Sequence, residues 1–158
     1  MKIPEFNEEA REVTNDTCCG QSCLAVIENR NMKQVLGEWK DKFGWYGYSK
    51  WKDLRKYLED KGYAVKQISW SKLEIVNENS FYILRVQWIG KGEKKEKPFY
   101  GWRSWFEASA NTHFIILNKD KVFCNESGIF NYDKLSDYLD GNGLITSALE
   151  IKQMESSH

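Results

Sequence analysis

At Gly62 the spacing of apolar residues changes, and no other feature of the chain constrains its fold as much. Before it, Trp51, Leu54, Tyr57 and Leu58 fall at helical spacing and predict a helix from about Lys50 to Lys61. Ser49 stands where an N-cap is expected, and Gly62 where a helix stops. Closer to the N-terminus, Cys23, Leu24, Val26 and Ile27 suit a buried helix from Cys19 to about Asn29, and Gly44-Trp45-Tyr46-Gly47-Tyr48 is a glycine-punctuated turn. After Gly62, Tyr63-Ala64-Val65 and Phe81 to Trp88 read as strands rich in aromatic and β-branched residues. His113 to Leu117 and Lys121 to Cys124 form two more, joined by a turn at Asn118-Lys119-Asp120. A short helix from about Asp133 to Leu139 and a last strand near Leu144 to Ile151 complete the pattern. Helices that lead and antiparallel strands that follow indicate an α+β fold.

A chain of 158 residues suits one domain, 1–158, with a polar arm over 1–14, a candidate insertion or lid over 89–112 and a tail over 153–158. Its 23 basic and 23 acidic residues cancel, which speaks against a nucleic-acid binder held by a basic surface. No apolar run approaches the ~18 residues that span a bilayer. The start, Met1 to Phe6, lacks the apolar stretch of a secretory signal, so a soluble cytoplasmic protein is expected.

Three of the 4 cysteines lie in Cys18-Cys19-Gly20-Gln21-Ser22-Cys23, which is not the dispersed pattern of a disulfide scaffold. A thiol at a helix N-terminus feels the positive end of the backbone dipole, which favours thiolate. A histidine brought close from a strand can hold the pair as thiolate and imidazolium, and an amide or carboxylate beyond it can orient the ring. Cys19 meets the first requirement and His113 the second; the only other histidine, His158, ends the chain. Asn125, after the next strand, is placed for the third.

Asn15-Asp16-Thr17-Cys18-Cys19-Gly20-Gln21-Ser22-Cys23-Leu24-Ala25-Val26-Ile27 resembles the Asp-Cys-Gly-x-x-Cys-Leu-Ala-Met-Ile segment of the papain-like bacteriocin-processing (double-glycine leader) peptidases. Trp51 to Gly62 is similar to that family's helix ending in Leu-Gly-Tyr, and His113-Phe114-Ile115-Ile116-Leu117 to its His-Phe-Val-Val-Leu strand. Asn125-Glu126-Ser127-Gly128 stands where the family has Asp-Pro-x-x-Gly. The resemblance covers roughly residues 12–146. It implies a papain-like fold, with an N-terminal helix carrying the nucleophile packed on an antiparallel sheet. It also implies a cysteine peptidase-like hydrolase or acyl transferase acting on a peptide or protein, without a cofactor or metal, through Cys19, His113 and Asn125.

The chain departs from the family in several places. Asn125 replaces the family aspartate, and Val13 falls where the family has its oxyanion-hole glutamine, which leaves Asn15 as the substitute. The segment between Trp88 and His113 is longer than in the family, and no transporter region is expected within these 158 residues. Cys18 and Cys23 remain alternative nucleophiles. Cys18 or Cys19 with Cys23, Cys124 and His113 offer a weak zinc pattern. Alternation along the strand puts Cys124 and Asn125 on opposite faces and assigns Cys124 to the core. The rival to an enzyme is a catalytically weak or inactive module that binds a peptide or protein partner. Trp102 and Trp105 in the insertion are candidate contacts for either.

Overall fold

The computed structural model describes residues 19–45, 49–70, 77–88, 112–124, 127–139 and 143–153. The elements are α1 (Cys19–Glu28), α2 (Met32–Phe43), α3 (Trp51–Asp60), β1 (Tyr63–Ile68), β2 (Phe81–Trp88), β3 (Thr112–Asn118), β4 (Lys121–Cys124), β5 (Gly128–Asn131), a 3-10 turn (Tyr132–Lys134), α4 (Leu135–Leu139) and β6 (Gly143–Gln153). The architecture is α+β, with every strand pairing antiparallel in one sheet of order β1-β6-β2-β3-β4-β5.

Each helix has a local cause. In α2, Met32, Val35, Leu36 and Trp39 are buried at positions i, i+3, i+4 and i+7, one stripe of a 3.6-residue period. Asn31 caps the start, its Oδ1 accepting from the Lys33 N–H at 2.7 Å. Gly44 ends it at φ 87°, a left-handed conformation that residues with a Cβ avoid. The sequence reading above leaves this helix unassigned, although its stripe and both caps are local signals. α3 begins at Trp51 with Lys50 at the N-cap and no side-chain cap bond, which corrects the expectation for Ser49. Ser49 instead packs against α1: a Cβ added to Gly20 would fall on its side chain and come within 3.1 Å of Leu54 Cδ2. Gly20 is therefore the residue that lets α3 approach α1. Gly62 stops α3 as expected, at φ 92°.

The sheet is buried on both faces. Helices α1, α2 and α3 cover one, where Trp39, Leu58, Ile83, Phe114, Ile116 and Leu149 meet. Trp39 is fully buried against Phe43 and Tyr57, with ring centroids 4.3 and 5.8 Å away. On the opposite face Tyr82, Leu84, Ile115, Leu117, Cys124 and Ala148 pack with Leu135 and Tyr138 from α4 and its flank. Period-two alternation sorts β3 between these layers: Phe114 and Ile116 face the helices, while His113, Ile115 and Leu117 share the other side.

The hairpin β3–β4 turns through Lys119 and Asp120, with Asn118 opposite Lys121 and Ile116 opposite Phe123. Continued by one pair, this register sets Cys124 beside Ile115, on the face of His113. Strand β6 pairs with β1 on one side and β2 on the other, and a bulge interrupts its pairing with β2 between Arg85 and Val86. In the helical layer Glu38 accepts from Arg30 Nη1 and Nη2 at 2.8 Å each, from Lys61 Nζ at 2.6 Å and from Tyr57 Oη at 3.0 Å. These donors, Arg30 first, hold its carboxyl down at about 2. No helix among the described residues is long and apolar enough to cross a membrane.

Candidate functional site

Cys19 is the first residue of α1, so its thiol sits where the unpaired N–H groups of the first turn concentrate positive potential. It is 4% exposed, and His113, one residue into β3, is 6% exposed. The His113 Nε2 lies 3.2 Å from Cys124 Sγ. On its other side Cys124 Sγ is 3.4 Å from Tyr138 Oη. Tyr138 is itself held by a stacked Phe130, with centroids 5.0 Å apart. The result is a line of polar groups, Tyr138 to Cys124 to His113, closed at the histidine end by Cys19.

The protonation states follow from this line. Burial of His113 disfavours its charged form, but hydrogen bonding to Cys124 and to Cys19, with the negative charge those thiols carry when ionised, outweighs it and raises the ring above its ordinary range. Burial likewise pushes the Cys124 thiol up. The His113 hydrogen bond and charge, the Tyr138 hydroxyl and the Ser127 backbone N–H more than reverse this, so Cys124 is held below the usual thiol range. The geometry favours an imidazolium facing a thiolate. Cys23 is different: burial, then the charges of Cys19 and Cys124, keep it protonated well above its ordinary value. Buried and neutral, it is a poor nucleophile.

Two of the expected site residues, Cys19 and His113, come together. Asn125, Asn15, Trp102, Trp105 and Cys18 lie outside the described residues. Cys124 is buried in the core as alternation predicts, and it is also the residue whose side chain meets the His113 ring. The overlooked signal is parity across the hairpin, because a two-residue turn after Asn118 puts Cys124 on the same face as His113. Tyr138 carries no comparable sequence signal, since α4 reaches the sheet only in the folded chain. Among the described residues no group of three or more His, Cys, Asp or Glu side chains is placed to hold a metal ion.

Arg85 occupies the helix-facing side of β2, opposite Phe114 of β3. Its guanidinium lies 5.5 Å above the Trp51 ring, which stacks on Phe114 at 5.4 Å. These three rings and planes run from the start of α3 to the residue that follows His113. No protein-family model matches the chain, and no curated protein matches it.

Proposed function

We propose that this chain is a papain-like thiol enzyme, a cysteine peptidase-like hydrolase or acyl transferase acting on a peptide or protein. The observation that carries the reading is the meeting of three groups: a cysteine at a helix N-terminus, a strand histidine whose ring is biased toward its protonated form, and a further polar group fixing that ring through Nε2. With Nε2 directed at Cys124, Nδ1 is the nitrogen left for Cys19. In acylation the Cys19 sulfur attacks the carbonyl carbon, a C–S bond replaces the C–N bond, and the His113 proton passes to the departing amine. In deacylation His113 takes a proton from water, or from an acceptor amine or thiol, and the Cys19 sulfur leaves. Cys124 keeps the ring oriented through both steps, the part that an amide or carboxylate plays in related triads. The Cys19 backbone N–H, with Asn15, is assigned to the oxyanion.

The burial of Cys19 sets a condition on this chemistry: substrate gains the sulfur only when neighbouring groups give way. A peptide-binding module would carry the same fold without that requirement, and labelling separates the two. An electrophilic thiol probe, followed by mass spectrometry, is expected to modify Cys19 ahead of Cys23 and Cys124, and His113→Ala is expected to slow that labelling at least tenfold. Uniform slow labelling, unaffected by His113→Ala, overturns the enzyme reading in favour of the binding module.

A further inference from the structure

Arg85 is half-buried and has no carboxylate partner among the described residues. Burial alone, with no compensating charge, lowers its pKa. Among the described residues only its Nε is engaged by a hydrogen bond, donating to Thr146 Oγ1 at 3.1 Å, while the guanidinium face rests on Trp51. Both Nη groups, four N–H donors in a planar fork, are left over. A half-buried guanidinium without an anion is costly, and proteins seldom leave one idle.

The surroundings of Arg85 are unpaired in the same sense. Ser147 stands opposite it on β6, and the bulge at Arg85/Val86 gives β6 an extra residue, so that Thr146 and Ser147 both serve the Arg85 side. The Ser147 hydroxyl is buried without a hydrogen-bond partner among the described residues. Gln87, two residues along β2 and therefore on the same face, is also buried. One end of its amide bonds Thr112 Oγ1 at 3.2 Å and the other end has no partner among the described residues. Turning that amide over exchanges the ends and presents an N–H₂ donor instead. A guanidinium fork, a hydroxyl and an amide thus share one face of two adjacent strands.

We propose that Arg85, Ser147 and Gln87 form a carboxylate-binding subsite, with Thr146 and Trp51 fixing the guanidinium. This inference rests on the acyl-transfer reading for its substrate: a peptide bearing a carboxylate close to the bond that Cys19 attacks. Position supports the link. Arg85 lies on the face covered by the helix that carries Cys19, opposite in strand alternation to His113, and Trp51 on that face follows Ser49, which packs on Gly20 beside Cys19. The subsite lies on the helix-facing side of the strand pair that holds the histidine. A carboxylate matches the fork bidentately, and the serine and amide donors satisfy its remaining lone pairs.

The carboxylate can come from a peptide C-terminus or from an acidic side chain, and three probes separate these sources. They are N-acetylated pentaalanine with a free C-terminus, the same peptide amidated, and the amidated peptide with glutamate at its centre. Each is titrated into the full chain and into its Cys19→Ser variant, following the Arg85 Nε–H and Trp51 indole N–H signals by NMR. One of the two carboxylate peptides is expected to shift these signals saturably and the uncharged amide is not; which one binds names the source. Arg85→Met is expected to weaken that binding by about tenfold or more, and Arg85→Lys by less, because the ammonium keeps the charge without the fork. If Arg85→Met does not fold, Arg85→Lys and Ser147→Ala carry the comparison. No saturable shift with either carboxylate peptide, an equal shift with the amide, or binding indifferent to position 85 overturns the subsite. Because binding is read without turnover, an unreactive Cys19 alongside intact carboxylate binding refutes the enzyme reading alone.

Discussion

Replacing Cys124 by serine removes the ionisable thiol that faces His113 while keeping a small hydroxyl in its place. At 3.2 Å the attraction between the two charges is about 5 kcal/mol for an effective dielectric of about 20. That corresponds to roughly four pK units at about 1.4 kcal/mol each. Burial opposes it by about 3–5 units for a fully enclosed ring, so without Cys124 the penalty prevails and Cys19 alone compensates. The expected result is a fall in the His113 pKa of at least about two units in Cys124→Ser, and a recovery toward the wild-type value in Cys124→Asp. The Cε1–H resonances of the two histidines, followed by NMR from about pH 5 to 10, measure this directly. The sign fixes the pH window. A raised histidine contributes stability that is full below its ordinary 6.5 and lost as pH rises through its folded value. A lowered Cys124 contributes stability that is full above its ordinary 9.0 and lost as pH falls through its folded value. The ion pair, and the labelling rate of Cys19 with it, should therefore peak between the two. A wild-type His113 titrating near 6.5, or unmoved by Cys124→Ser, refutes the reasoning.

Other residues give independent checks. Tyr138→Phe should raise the Cys124 pKa modestly and narrow the pH window of Cys19 labelling from its acid side, without loss of the fold by circular dichroism. Gly20→Ala gains up to ~1 kcal/mol of helix propensity but forces a Cβ onto Ser49 and Leu54, at about 1–3 kcal/mol. A net loss of about 1 kcal/mol is expected by urea denaturation, and Ser49→Ala in the same chain should recover most of it. Leu58→Ala, at a fully buried position, should cost about 2–5 kcal/mol and lower Tm by roughly 2–4 °C for each of them. Glu38→Gln should cost about 1 kcal/mol at neutral pH, since the carboxylate is more than a third exposed and solvent screens its ion pairs. Its lowered pKa makes that contribution full above about 4.5 and lost as pH falls through about 2, so wild type and variant should converge in acid melting curves.

The parts of this molecule that sequence reveals are those written in local spacing. The stripe Trp51, Leu54, Tyr57, Leu58 and the stop at Gly62 give α3, and the β3–β4 hairpin is legible from its apolar runs and polar turn. The stripe Met32, Val35, Leu36, Trp39 is equally local but lies among six charged or amide side chains in twelve residues, which mask it. Strand β5, four residues at an edge with two of them exposed, offers too short a pattern to distinguish from a loop. Pairing across long separations is not written locally at all: β6 lies between β1 and β2 because their faces fit, and no spacing announces it. The site divides along the same line. Cys19 and His113 stand out by chemistry and position. Cys124 looks like ordinary core until the hairpin register is counted, and Tyr138 enters only through tertiary packing.

The place of β6 has a consequence for how the chain comes into being on the ribosome. Strands β3 to β5 can pair as they emerge, each beside a neighbour already made. Strand β1 is synthesised before all of them, yet its ladder partner among the described strands is β6, the last to appear. Until residues 143–153 leave the exit tunnel, β1 lacks its β6 partner and the helices above it lack part of their floor. Strand closure across some eighty residues is slow compared with hairpin formation. Between the emergence of β5 and that of β6 the nascent protein therefore holds an apolar face open, and a chain arrested in that interval is one for chaperones to hold or proteases to clear.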